Sequence, residues 1–181
     1  YLVVPEVVPS GRLEAVRAAY EILVERQRQI WASERKPDDP PGGAWETSAQ
    51  PRLVLSRPPG DQIDARSAAA VEVWLGERAQ GVSEQLLAVD DAAVTEMMLM
   101  CNPVRDYPGG TGWHRDVHPV DMAPMEALAA DFIENGPRYT QWNVPMYDDS
   151  VLWVVPGSHR RRNTEQENAE FRDDRKKPVA G

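Results

Sequence analysis

Tyr139-Thr140-Gln141-Trp142-Asn143-Val144-Pro145-Met146-Tyr147, then Asp148-Asp149-Ser150, then Val151-Leu152-Trp153-Val154-Val155-Pro156-Gly157 is the stretch on which the fold class turns. Aromatic and β-branched residues make the two outer runs strand-compatible, and the Asp-Asp-Ser triplet between them is a turn signal, so the stretch predicts a β-hairpin ended by Pro156-Gly157. Working back towards the N-terminus, Met125, Leu128, Ala129 and Phe132 form one apolar helical face, capped in sequence by Asp121 and ended by Asn135-Gly136. Before that helix, residues 113–118 predict a strand opened by Pro108-Gly109-Gly110-Thr111-Gly112, and residues 94–101 a buried strand bounded by Asp90-Asp91 and Asn102-Pro103.

The first half reads differently. Leu13, Val16, Tyr20, Leu23 and Gln27 recur at helical spacing after Pro9-Ser10, which predicts an amphipathic helix over residues 12–31. Residues 36–43, rich in Pro, Asp and Gly, read as a loop, and Leu53-Val54-Leu55 as a short strand. After Pro58-Pro59-Gly60 a second helix, capped by Asp61 or Asp64, is expected to run through Ala68-Ala69-Ala70 to residue 79, burying Val71, Trp74 and Leu75. Gly81 is expected to break the chain before a short helical piece over residues 82–88, and Tyr1-Leu2-Val3-Val4-Pro5 reads as an opening strand. Helices first and strands afterwards predict an α+β fold, its core drawn from Val94, Leu99, Trp142, Val144, Leu152 and Val154. Residues 160–181 are nearly all charged or polar and read as a solvated loop.

The 181 residues are the length of one domain. With 20 Lys plus Arg against 29 Asp plus Glu, the net charge of −9 argues against nucleic acid as a partner, because binding a phosphate backbone needs a basic face. Apolar runs such as residues 151–155 fall far short of the roughly 20 residues that span a bilayer, so no membrane association is expected. The lone Cys101 forms no intrachain bridge, and a reducing, cytoplasmic setting follows as the expectation. Both ends of the sequence read as cut.

Histidine is scarce, and two of the three stand in His114-Arg115-Asp116-Val117-His118. On a strand, alternate side chains share a face, so His114 and Asp116 can reach one point. An imidazole and a carboxylate so placed are two of the three ligands of a facial triad, which leaves positions on Fe(II) open. The same triplet also reads as a surface His paired with a carboxylate, and with His118 as a zinc-like cluster, although Pro119 ends the strand there. Arg160-Arg161-Arg162 reads as a solvated charge run or as an attractor for an anionic substrate.

Trp113-His114-Arg115-Asp116, Trp142-Asn143-Val144-Pro145-Met146-Tyr147-Asp148-Asp149 and Leu152-Trp153-Val154-Val155-Pro156-Gly157-Ser158-His159-Arg160, with the opening Tyr1-Leu2-Val3-Val4-Pro5, resemble the phytanoyl-CoA dioxygenase family. The resemblance implies a single oxygenase-like domain over residues 1–181, built as a double-stranded β-helix, or cupin-like jelly roll, flanked by N-terminal helices and incomplete in this sequence. It also implies a non-haem Fe(II) and 2-oxoglutarate-dependent dioxygenase that hydroxylates a small molecule. His114 and Asp116 would be its first two metal ligands, and Trp142 would border the 2-oxoglutarate pocket. In the family pattern the histidine of Pro-Gly-Ser-His, here His159, is not a ligand. The distal histidine and a cosubstrate-binding arginine come later, so they are expected beyond Gly181, and residues 1–181 alone are expected to be inactive. The alternative is a non-catalytic jelly-roll binding protein that has lost the distal ligand. The carboxylate of Asp116 argues against halogenation, since halogenating relatives lack it.

Overall fold

A computed structural model describes residues 1–48, 52–54, 63–100, 113–115, 125–150 and 152–171. Its axis is α1, Leu13–Ser33, entered through a 3-10 turn at Ser10–Arg12 whose Arg12 N–H donates to the Pro9 carbonyl at 2.8 Å. The helical spacing seen in the sequence places Val16, Ala19, Leu23 and Val24 on its buried side. Helix α1 ends as Ser33 Oγ and the Glu34 N–H donate to the Ile30 carbonyl at 2.7 and 2.9 Å. The Pro- and Gly-rich loop after it turns back into the short α2, Ala44–Thr47, as the loop reading of residues 36–43 requires. Trp45 of α2 stacks on Trp31 with centroids 6.3 Å apart, and the Arg28 guanidinium covers its ring at 4.8 Å.

The second expected helix is present as the short α3, Ala69–Glu72, and the helical piece expected over residues 82–88 as part of a longer α4, Glu77–Leu87. Asp64 caps the turn that leads into α3. Its Oδ1 accepts from the N–H groups of Arg66 and Ser67 at 2.9 and 3.2 Å, while Ser67 Oγ accepts from the Asp64 N–H at 3.0 Å. Arg26 of α1 closes the arrangement on Asp64 Oδ2 at 2.7 Å, and this guanidinium, with the Arg66 N–H and the Ser67 hydroxyl, holds the carboxyl below its ordinary pKa. Asp61, the other expected cap, lies outside the described residues.

The expected break at Gly81 is corrected by the structure: Gly81 sits inside α4. One glycine costs a helix only about 1 kcal/mol relative to alanine, and Glu77, Arg78, Gln80, Glu84 and Gln85 around it are strong helix formers. The break lies instead at residues 73–76, where Leu75 and Gly76 donate to the carbonyls three residues back and the chain leaves the helix at an extended Gly76. This shift turns Leu75 out to solvent, at 62% exposure, so of the expected stripe only Val71 packs against the core.

Strand structure among the described residues is one antiparallel pair, β1, Arg52–Val54, with β2, Met98–Met100, in the register Arg52↔Met100, Leu53↔Leu99 and Val54↔Met98. Leu99 turns inward to join Ala19, Leu23 and Ala70 in the core, with Tyr20, Ile63, Ala69, Val71 and Met97 around them. The Tyr20 hydroxyl fixes β2 on α1 by donating to the Met100 carbonyl at 2.9 Å.

The expected strands elsewhere differ. Residues 1–5, 94–97, 139–147 and 152–155 join no ladder, and of residues 113–118 only 113–115 are described, in irregular conformation. Along 140–147 burial still alternates with a period of two: Thr140, Trp142, Val144 and Met146 are half-buried, Gln141, Asn143, Pro145 and Tyr147 exposed. Pro145 removes one ladder donor, and the segment binds helices rather than a neighbouring strand. Of the expected core, Leu99 is buried, Trp142 and Val144 are half-buried, and Val94, Leu152 and Val154 are exposed. Helix α5, Met125–Asn135, matches the expected helix, with Gly136 at φ +80° following it; the cap Asp121 lies outside the described residues. Residues 165–171, expected within a polar loop, form α6, Glu165–Phe171.

Candidate functional site

His114 is exposed, and its neighbours Trp113 and Arg115 are half-buried. Asp116 and His118 lie outside the described residues. Arg115, between the two expected ligands, is the residue that organises this region. Its Nε donates to Asn163 Oδ1 at 2.6 Å, its Nη1 to the Ser158 carbonyl at 2.7 Å and its Nη2 to the Arg161 carbonyl at 3.3 Å. A guanidinium is a planar fork of donors, and here three nitrogens meet three acceptors on one short stretch of chain. The His114 segment is thereby held against the Pro156-Gly157-Ser158-His159 turn, over sequence separations of 43 to 48 residues. Burial lowers the Arg115 pKa, with Glu167 opposing that shift and Arg161 adding to it.

The turn has the form its sequence predicts. Gly157 takes φ +75°, which glycine adopts without steric cost, and Ser158–Arg160 follow as a 3-10 turn. His159 is exposed on it. Partial desolvation, and with it the charge of Arg160, lower its imidazole pKa.

Beyond the turn, Arg161 makes a two-pronged ion pair with Glu167, Nη1 to Oε2 and Nη2 to Oε1, both at 2.7 Å. The same carboxylate accepts from the Thr164 N–H at 2.7 Å, while Thr164 Oγ1 accepts from the Glu167 N–H at 3.1 Å. That reciprocal pair is a capping box at the start of α6. Arg161 first, and the Thr164 N–H second, lower the Glu167 pKa from its ordinary 4.5 to about 2. Asn163 Nδ2 donates to Asn168 Oδ1 at 3.0 Å, so the residue gripped by Arg115 is itself fastened to α6.

Trp142 lies elsewhere in the network. Its Nε1 donates to Ser83 Oγ at 2.9 Å, and Thr140 Oγ1 meets the same oxygen at 2.9 Å from the next position on that face. Ser83 is buried in α4 and donates to the Ala79 carbonyl at 2.9 Å, so its hydroxyl is fully used. A few residues on, Arg17 of α1 donates to the Met146 carbonyl at 2.7 Å and lies over the Tyr147 ring at 5.0 Å. The Tyr147 hydroxyl donates to Glu21 at 2.7 Å, and that bond leads the causes raising its pKa. The indole N–H of Trp142, expected at a cosubstrate pocket, is thus committed to docking residues 140–147 on the helices.

As a metal donor the exposed His114 fits Fe(II) in kind, being an imidazole, and a carboxylate at Asp116 would suit the same ion. Among the described residues no three His, Cys, Asp or Glu side chains gather into a metal-holding group. No helix among them is long and apolar enough to cross a membrane.

Four participants were missed in the sequence reading: Arg115, Asn163, Ser83 and the Thr164–Glu167 pair. Only the last carries a local signal, since Thr164-Glu165-Gln166-Glu167 has the spacing of a capping box. The others act across long separations and leave no pattern in a single sequence. Comparison with known proteins finds no matching family model, no matching curated protein and no matching solved structure.

Proposed function

We propose that the chain is a non-haem Fe(II) and 2-oxoglutarate-dependent dioxygenase of the phytanoyl-CoA dioxygenase kind, hydroxylating a small-molecule substrate. One observation carries this reading: Arg115 draws together the two stretches that bear the family resemblance, Trp113-His114-Arg115-Asp116 and Pro156-Gly157-Ser158-His159-Arg160. His114 and Asp116 would hold the iron, and the jelly roll implied by the resemblance belongs to the same proposal. When bound, the iron and 2-oxoglutarate supply O₂ activation coupled to decarboxylation of the cosubstrate to succinate. The chain's own part is to present the His114 imidazole, its segment held on the Ser158–Arg160 turn through Arg115. A cytoplasmic setting accompanies the proposal, since Fe(II) and the lone thiol of Cys101 both suit a reducing compartment.

The experiment is succinate formation from 2-oxoglutarate by the intact protein in the presence of Fe(II) and O₂, with and without candidate substrates. Asp116→Ala is expected to lower turnover by about two orders of magnitude or more while leaving circular dichroism unchanged, because the anionic oxygen is lost from the metal's ligand set. Undiminished turnover in a folded Asp116→Ala protein defeats the reading. Zinc found in place of iron after purification without chelators favours a hydrolase instead, and small-molecule binding without turnover favours a binding protein.

A further inference from the structure

Arg115 faces a stretch of chain that is itself anchored to α6 by two separate routes. One runs from Arg115 through Asn163 to Asn168, the other from the Arg161 carbonyl along the backbone to the ion pair between the Arg161 guanidinium and Glu167. The capping box ties the second route to the first turn of the helix, since the Glu167 carboxylate serves both Arg161 and the Thr164 N–H. A helix of seven residues is too short to persist alone in water, so α6 owes its order to these polar ties. The dependence works in both directions. Residues 158–163 supply the acceptors that hold Arg115, and two of the three, the Arg161 carbonyl and Asn163 Oδ1, belong to residues fastened to α6.

We infer that α6 is a control element for the candidate site: its docking, transmitted through Asn163 and the Arg161 carbonyl to Arg115, sets the position of the neighbouring His114. Arg115 acts here as a positioning residue, through its hydrogen bonds to Ser158, Arg161 and Asn163. The inference rests on the oxygenase reading only for the chemistry at His114; the coupling is a property of the hydrogen-bond chain itself. Charge alone does not suffice for the role. A lysine keeps the positive charge but offers one compact ammonium, which cannot serve Ser158, Arg161 and Asn163 together at these distances. Removing Glu167 releases α6 at a residue that makes no hydrogen bond to Arg115, although its charge is felt there.

The test reads the His114 ring signal by NMR in the whole chain, assigned with His114→Gln, beside hydrogen exchange over residues 158–171. Arg115→Ala, Arg115→Lys and Glu167→Ala are each expected to shift the His114 signal and speed exchange in α6, whereas Arg162→Ala, an exposed neighbour in the same charge run, should do neither. A His114 signal that stays in place in Glu167→Ala while α6 exchange accelerates overturns the inference; that variant leaves the main core untouched and so decides the matter even if Arg115→Ala misfolds. Cobalt(II) titration judges the underlying reading separately. If the unsubstituted protein binds the ion through His114, Arg115→Ala should weaken binding about tenfold or more. If it binds none, the oxygenase reading falls, and the NMR comparison alone still accepts or rejects the coupling.

Discussion

At Gly43 a side chain is excluded on two counts. The backbone has φ +55°, and an added Cβ would run into the Trp31 carbonyl. Gly43→Ala is therefore expected to destabilise the protein by about 1–3 kcal/mol, read as a lower midpoint in urea unfolding. Gly81 is the opposite case, with helical backbone and open space where a Cβ would stand, so Gly81→Ala should raise stability by about 0.5–1 kcal/mol. The two substitutions are alike on paper and opposite in sign. Ser83 is a third residue whose role only the folded chain reveals. Ser83→Ala strips the acceptor from both Trp142 and Thr140, which should cost about 1–3 kcal/mol and move the Trp142 indole N–H resonance towards its solvent-exposed position. Nothing in Ala79-Gln80-Gly81-Val82-Ser83 announces this, because a serine in a helix usually faces water or its own backbone.

Among the elements, α1 and α5 were legible because their apolar residues recur every three or four positions, a pattern wholly contained in the local sequence. Strands are a different matter. Residues 139–147 and 152–155 have the composition of strands, but a strand exists only where a neighbour supplies the other half of its ladder, and that neighbour is not written in the segment. The alternating burial along 140–147 shows how far composition carries: it set which side chains turn inward, while Ser83 and Arg17 decided what they meet. Helix α6 reverses the lesson. Its charged and polar composition argued for a loop, whereas the three-residue spacing from Thr164 to Glu167 specified a helix start. Two measurements follow for that element. Thr164→Ala should cost α6 about 1 kcal/mol, seen as faster amide exchange over residues 165–171. Acid should act on it as well: because folding lowers the Glu167 pKa from 4.5 to about 2, the carboxylate's contribution is fully present above pH 4.5 and is lost as pH falls towards 2. The Arg161–Glu167 tie should thus release in that acidic window, with the amides of α6 losing protection before those of α1.

Over the whole molecule, the described residues bury few large side chains, with Leu23 the one large apolar side chain fully enclosed. Among the described residues the run Leu152-Trp153-Val154-Val155 is exposed. With so small a core, stability is concentrated in few places, and Leu23→Ala should cost about 2–5 kcal/mol, enough to unfold a marginal domain at ambient temperature. The candidate site has the opposite character, being held by directed polar contacts rather than burial. That is why the His114-Arg115-Asp116 triplet could be picked out of the sequence while the function of its middle member could not. The placement of α1 near the start of the chain also has a consequence in time. Glu21 emerges from the ribosome 126 residues ahead of its partner Tyr147, which at about 5–20 residues per second is an interval of about 6–25 s. Through that interval the helix that organises the fold waits with part of its surface uncovered, so the speed of translation through the middle of the message bears directly on the yield of folded protein.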